Sequence, residues 1–152
     1  MNKPVCLITA PVATRSGYGA HARDIARSLI ELDKFDVKIW NVRWGNTPMN
    51  ALNDQEPRDK MIIDRLLQNP QLPTQPDIHV HIVIPNEFSP IGKFNIGITA
   101  GLECTVCPPQ WIEGMNRMDM NIVPSTFVKD VFKSTTYDIQ DKQTGQQKGS
   151  LQ

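Results

Sequence analysis

The sequence predicts an α/β architecture in which an open, mostly parallel sheet carries helices on both faces. Three features carry that expectation. Short apolar runs of strand length recur along the chain, amphipathic stretches of helical period fall between them, and turn residues punctuate the boundaries. With 152 residues, one domain with its own hydrophobic core is the size expectation.

The elements follow in order. Val5 to Ala10 (VCLITA) is nearly all apolar, as a strand buried on both faces requires. Six residues, Pro11 to Ser16, lead to Gly17. From Ala20 onward Ala22, Ile25, Ala26 and Leu29 recur at helical spacing, with Arg23, Asp24, Arg27, Ser28 and Glu31 on the other side. Val37 to Trp40 is a second strand, and Asp59 to Gln68 a second helix with Ile62, Ile63, Leu66 and Leu67 as its stripe. The three prolines of NPQLPTQP, residues 69–76, demand a loop, after which Ile78 to Ile84 alternates as a strand does. Phe94 to Thr99 is a further strand, and Pro109 to Arg117 a helix with proline in its first turn. Met120 to Val123 is the last strand of the series, followed by a helix from Ser125 to Lys133 with Ser125 as cap. Beyond Ser134 the chain turns polar and loses apolar periodicity, which predicts a linker, a truncated tail or a hairpin missing its partner.

Composition narrows the function classes. Apolar residues make up 39% and charged residues 21%, and 16 basic side chains balance 16 acidic ones, so the excess positive charge that duplex nucleic acid demands is missing. Nucleic acid is not an expected partner. The apolar run near the N-terminus, Val5 to Ala10, is too short for a signal-peptide core or a membrane span, so a cytoplasmic protein without a transmembrane segment is expected. Three cysteines, Cys6, Cys104 and Cys107, suit a reducing compartment better than a disulfide framework.

Gly17, Gly19 and Ala22 satisfy G-x-G-x-x-G/A, the spacing of a dinucleotide-binding turn. Two departures weaken a dehydrogenase-type reading: six residues separate the first strand from Gly17, and the second strand ends in Trp40, Asn41, Val42 and Arg43, with no carboxylate for a ribose. A glycine turn that simply joins strand to helix is the competing reading. Arg15, Ser16, His21 and Arg23 cluster around that turn, where a cation beside free N–H donors would favour phosphate; Arg23 equally suits a solvent face. Cys104 and Cys107 form C-x-x-C before a helix, and His79 and His81 share a strand face, but neither pair completes a zinc set by itself. Glu87 and Glu103 each follow a strand, at the carboxyl edge where open α/β sheets bind ligands. No serine stands in a G-x-S-x-G elbow. Trp40, Trp44 and Trp111 are of the type that stacks on sugars or bases, although packing within the fold accounts for each as well.

Taken together, SGYGAHARDIARSLIE, PDIHVHIVIPNEF and NIGITAGLECTVCPPQWIEGMNRMDMNIVPSTFVKDVF resemble the N-terminal half of the family-four, retaining glycosyltransferases of the two-domain GT-B fold, over about residues 3–133. The resemblance implies a Rossmann-like domain, residues 1–133, with 134–152 leading away from it. It implies that Ser16, Gly17, Tyr18 and Gly19 face the diphosphate of a nucleotide sugar, Ser16 standing where a double glycine is common. It also places Asp119 before the final strand and Ser125 at the opening of the final helix, and makes His79 and His81 the nearest matches to a strand-ending histidine. Arg15, His21, Glu87, Thr99, Glu103 and Ser125 are the side chains expected along the cleft, with the catalytic residues unassigned. The partners implied are a nucleotide sugar, as substrate rather than cofactor, and a sugar or glycan acceptor; no metal is required. In that family a C-terminal half carries most of the nucleotide site and a pair of glutamates. The chain is therefore expected to be an incomplete enzyme, inactive alone. The alternative is a non-catalytic module that binds a nucleotide or a protein at the same sheet edge.

Overall fold

The computed structural model describes residues 2–152. Its first strand, β1 (Val5–Ala10), leads through a tight loop into α1 (Gly17–Glu31) and then β2 (Asp36–Asn41). α2 (Pro57–Ile63), β3 (Ile78–Ile82), β4 (Phe94–Ile98), α3 (Pro109–Asn116), β5 (Met120–Ile122) and α4 (Thr126–Ser134) follow, and β6 (Tyr137–Gln140) and β7 (Gln147–Leu151) close the chain. β1 to β5 form one sheet in the order β2-β1-β3-β4-β5, every neighbouring pair parallel. This is a Rossmann-like sheet flanked by helices.

Strand alternation divides the sheet into two unlike faces. One presents Cys6, Ile8, Ala10, Val37, Ile39, Val80, Ile82 and Ile98, all buried, against Ala22, Ala26 and Ile30 of α1 and Ile62 of α2. Each fully buried branched chain there contributes about 1.5–3 kcal/mol. The other face carries Thr9, His79, His81, Asn95 and Asn121, buried or half-buried, in register across β1, β3, β4 and β5. Two of these side chains, His81 and Asn95, serve the crossover from β3 to β4, which has only a 3₁₀ turn at Pro85–Glu87 and so leaves backbone groups in need of partners. The Ser89 N–H donates to His81 Nδ1 at 3.1 Å, the Gly92 N–H to Asn95 Oδ1 at 2.8 Å, and Asn95 Nδ2 to the Gly92 carbonyl at 3.0 Å. α3 lies on this same face, where Asn121 Nδ2 donates to the Met115 carbonyl at 2.8 Å.

Two elements differ from the sequence expectation. α2 ends at Ile63 instead of running to Gln68, because β2 has a free edge whose Ile39 N–H and carbonyl pair with the Arg65 carbonyl and the Leu67 N–H, both at 2.9 Å. Leu66 thereby makes a one-residue parallel bridge to Ile39, and counting it as a strand gives the order 3-2-1-4-5-6 typical of dinucleotide folds. The polar stretch after Ser134 is a β6–β7 antiparallel hairpin held to the domain. Tyr137 Oη donates to the Cys107 carbonyl at 2.6 Å, Asn116 Nδ2 to the Gln152 carbonyl at 3.0 Å, and Leu151 packs on the cluster of Cys107, Ile112, Val128 and Phe132.

Candidate functional site at the carboxyl edge of the sheet

The loop from β1 into α1 is built by its own side chains. Thr14 Oγ1 donates to the Pro11 carbonyl at 2.8 Å and lies 2.8 Å from Ser16 Oγ. Ser16, extended at φ −137°, caps α1 by accepting from the Gly19 N–H at 2.9 Å, while the Ala20 N–H closes the first helical bond on the Ser16 carbonyl, also at 2.9 Å. Of the four N–H groups from Gly17 to Ala20, Gly19 and Ala20 are therefore already satisfied, and those of Gly17 and Tyr18 remain free to meet a ligand. The two glycines have unlike roles. A Cβ on Gly19 would collide with the Thr14 carbonyl and lie 2.6 Å from Thr14 Oγ1, whereas a Cβ on Gly17 would meet nothing within 4 Å.

Tyr18 ties this loop to the far side of the cleft. Its ring stacks on Trp44 at 4.2 Å between centroids, its hydroxyl lies 2.9 Å from Thr99 Oγ1, and it accepts from the Ala100 N–H at 3.0 Å. A cavity of about 240 Å³ results, lined by Gly17, Tyr18 and His21 of α1 and by the ends of β4 and β5 through Ile98, Thr99, Ile122 and Val123. A second hollow of about 420 Å³ shares Ala100 and reaches Leu102, Glu103, Ser125 and Phe127. Ser125 also caps α4, accepting from the Val128 N–H at 3.2 Å.

The expected site residues thus divide. Gly17, Tyr18, His21 and Thr99 share the first cavity, and Glu103 and Ser125 line the second. Arg15 turns away, its Nε donating to Asn50 Oδ1 at 2.8 Å and its Nη2 to the Asn50 carbonyl at 3.2 Å. Arg23 braces the loop: its Nη1 donates to the carbonyls of Val12 and Thr14, both at 2.9 Å. Glu87 sits on the 3₁₀ turn after β3 and lines neither cavity. Asp119 lies at the amino edge of the sheet, where its Oδ2 accepts from the Asn95 N–H at 2.7 Å. Asn41, at the end of β2, spends its Oδ1 on the Ala13 N–H at 3.0 Å. No carboxylate awaits a ribose there.

His79 and His81 are interior groups. His79 Nε2 lies 2.9 Å from Thr9 Oγ1, and burial draws its imidazole down to about 4; burial and then His79 itself draw His81 down to about 3. Both are neutral at pH 7. Cys107 is buried, with its thiol pushed up by desolvation, while Cys104 is exposed. Among the described residues no three His, Cys, Asp or Glu side chains gather as metal ligands would, and no helix is long and apolar enough to cross a membrane.

Sequence reasoning passed over the apolar lining, Ile98, Ile122, Val123 and Pro124, and the partnership of Tyr18 with Trp44. Ile98 and Ile122 end β4 and β5, and Val123 and Pro124 follow directly, so the strand-end rule applied to Glu87 and Glu103 would have reached them. Comparison with protein-family models, curated proteins and solved structures finds no match for this chain.

Proposed function

We propose that the chain is the acceptor-side half of a retaining glycosyltransferase, which moves a sugar from a nucleoside diphosphate to an acceptor hydroxyl and needs a second half for turnover. In that reaction the bond from the anomeric carbon to the diphosphate oxygen breaks and one to the acceptor oxygen forms. The acceptor proton is released together with the nucleoside diphosphate. The free N–H groups of Gly17 and Tyr18, at the positive end of a helix of 15 residues, are suited to the charge that builds on the leaving group.

The observation that carries the reading is this pair of free amides opening onto a cavity at the carboxyl edge of the sheet, with Gly17 unobstructed. A dehydrogenase-type reading is disfavoured by Asn41, which offers no carboxylate and whose side chain is already bonded. A non-catalytic nucleotide-binding module is the second reading, favoured by the absence of a paired acid and base within the first cavity among the described residues.

Amide NMR with UDP-glucose, GDP-mannose and NAD tests the choice. The expected result is a shift of the Gly17 and Tyr18 resonances with a nucleotide sugar and none with NAD. Gly17→Asp places a carboxylate before those amides in open space, so it should lower nucleotide-sugar affinity about tenfold or more without loss of fold. Shifts with NAD alone would overturn the reading. Binding of the bare nucleotide as tight as that of its sugar conjugate favours the non-catalytic module.

A further inference from the structure

We infer that the acceptor taken by this cleft has an apolar or aromatic body bearing a single hydroxyl, and is not a polyhydroxylated glycan; the inference rests on the glycosyl-transfer reading above. The two hollows form one run, since both include Ala100 and they flank the turn from Ile122 to Ser125. Ile98, Ile122, Val123 and Pro124 wall the first, and Leu102 and Phe127 extend the apolar surface into the second. Ile122 is 46% exposed and Phe127 53%, so two large apolar side chains stand in water at the place where a substrate would lie.

The polar groups of the cleft are largely committed. The hydroxyls of Tyr18 and Thr99 bond each other, and that of Tyr18 also accepts from the Ala100 N–H. Ser125 Oγ is engaged as the cap of α4. Besides the Gly17 and Tyr18 N–H groups assigned to the diphosphate, the side chains that remain are the His21 imidazole and the Glu103 carboxylate, neither of which makes a hydrogen bond or ion pair with the described residues. A glycan ring carries several hydroxyls, each of which loses water on entry and needs a partner. Against these walls most would find none. A ligand with one hydroxyl needs only one such group and covers Ile122 and Phe127 with its body.

The test uses the 152-residue chain with 2-naphthol, an aromatic body with one hydroxyl, and cellobiose, a polyol, each followed by amide NMR. The expected result is saturable shifts at Thr99, Ala100 and Ile122 with 2-naphthol, and affinity for cellobiose at least tenfold weaker. Ile122→Asp and Phe127→Glu, both at exposed positions, should each weaken 2-naphthol at least tenfold while the rest of the spectrum is unchanged. Cellobiose binding as tightly as 2-naphthol at these amides overturns the inference. So do shifts with 2-naphthol that centre on Ile112, Met115 and Phe132 of the neighbouring cleft, which shares Val123 with the first cavity, or that both variants leave intact. UDP-glucose and NAD are titrated in parallel. Should NAD alone move Gly17 and Tyr18 while 2-naphthol binds at Ile122, the glycosyl-transfer reading falls and the apolar ligand class of the cleft stands.

Discussion

Gly19 is limited to a hydrogen side chain by the loop on which it packs, since any Cβ there strikes the Thr14 carbonyl. Backbone at that distance cannot rotate aside as a flexible side chain would. Gly19→Ala is accordingly expected to cost about 1–3 kcal/mol in urea unfolding. Gly17→Ala, in open space within a helix, should be neutral or stabilising by less than about 1 kcal/mol. The spacing of the two glycines is legible in the sequence, but their division of labour is not, because it depends on how closely Thr14 and Pro11 approach α1. Arg15 and Arg23 teach the same lesson. Both are suited by type to phosphate, yet the carbonyls of Asn50, Val12 and Thr14 reach them first.

Among the elements, α3 shows how a helix is fixed by a contact that no periodicity records. Its Gly114 sits against the Pro85 carbonyl of the 3₁₀ turn so closely that a Cβ has no room. Arg117, just after the helix, donates from Nε to the Phe88 carbonyl and from Nη2 to the Asn86 carbonyl, both at 3.0 Å. Gly114→Ala should therefore push α3 off this turn and cost about 3 kcal/mol, read as a lowered midpoint in thermal unfolding. The start of α4 was legible as a serine before an amphipathic run, and the structure has Ser125 as its cap. The end of α2 was not legible: Leu66 and Leu67 keep helical spacing, but the free edge of β2 offers hydrogen bonds that local propensity cannot register.

For the whole molecule, the two buried histidines make stability depend on pH. Unfolded, each imidazole takes up a proton near 6.5; folded, His79 does so only near about 4 and His81 near about 3. Between these values the unfolded chain binds more protons, so stability is complete above pH 6.5 and falls as the pH drops toward 4. Protonation also turns His81 Nδ1 from an acceptor of the Ser89 N–H into a donor facing it, which loosens the crossover between β3 and β4. Urea titrations at pH 7 and pH 4.5 should differ by several kcal/mol. Equal stability at the two pH values would mean that the imidazoles are not held neutral in the interior.

The sequence by itself determined the alternation of strands and helices, the parallel sheet and the position of a glycine-bearing loop at a helix start, because period and turn chemistry are local properties. Only the tertiary structure decided which groups remain free. It engaged the Gly19 N–H with Ser16, closed the Tyr18 hydroxyl onto Thr99, turned Arg15 toward Asn50 and gathered Ile98, Ile122 and Val123 from separate strands into one wall. A site is what a fold leaves unsatisfied, and that remainder is fixed by contacts between residues as far apart in the chain as Tyr18 and Thr99.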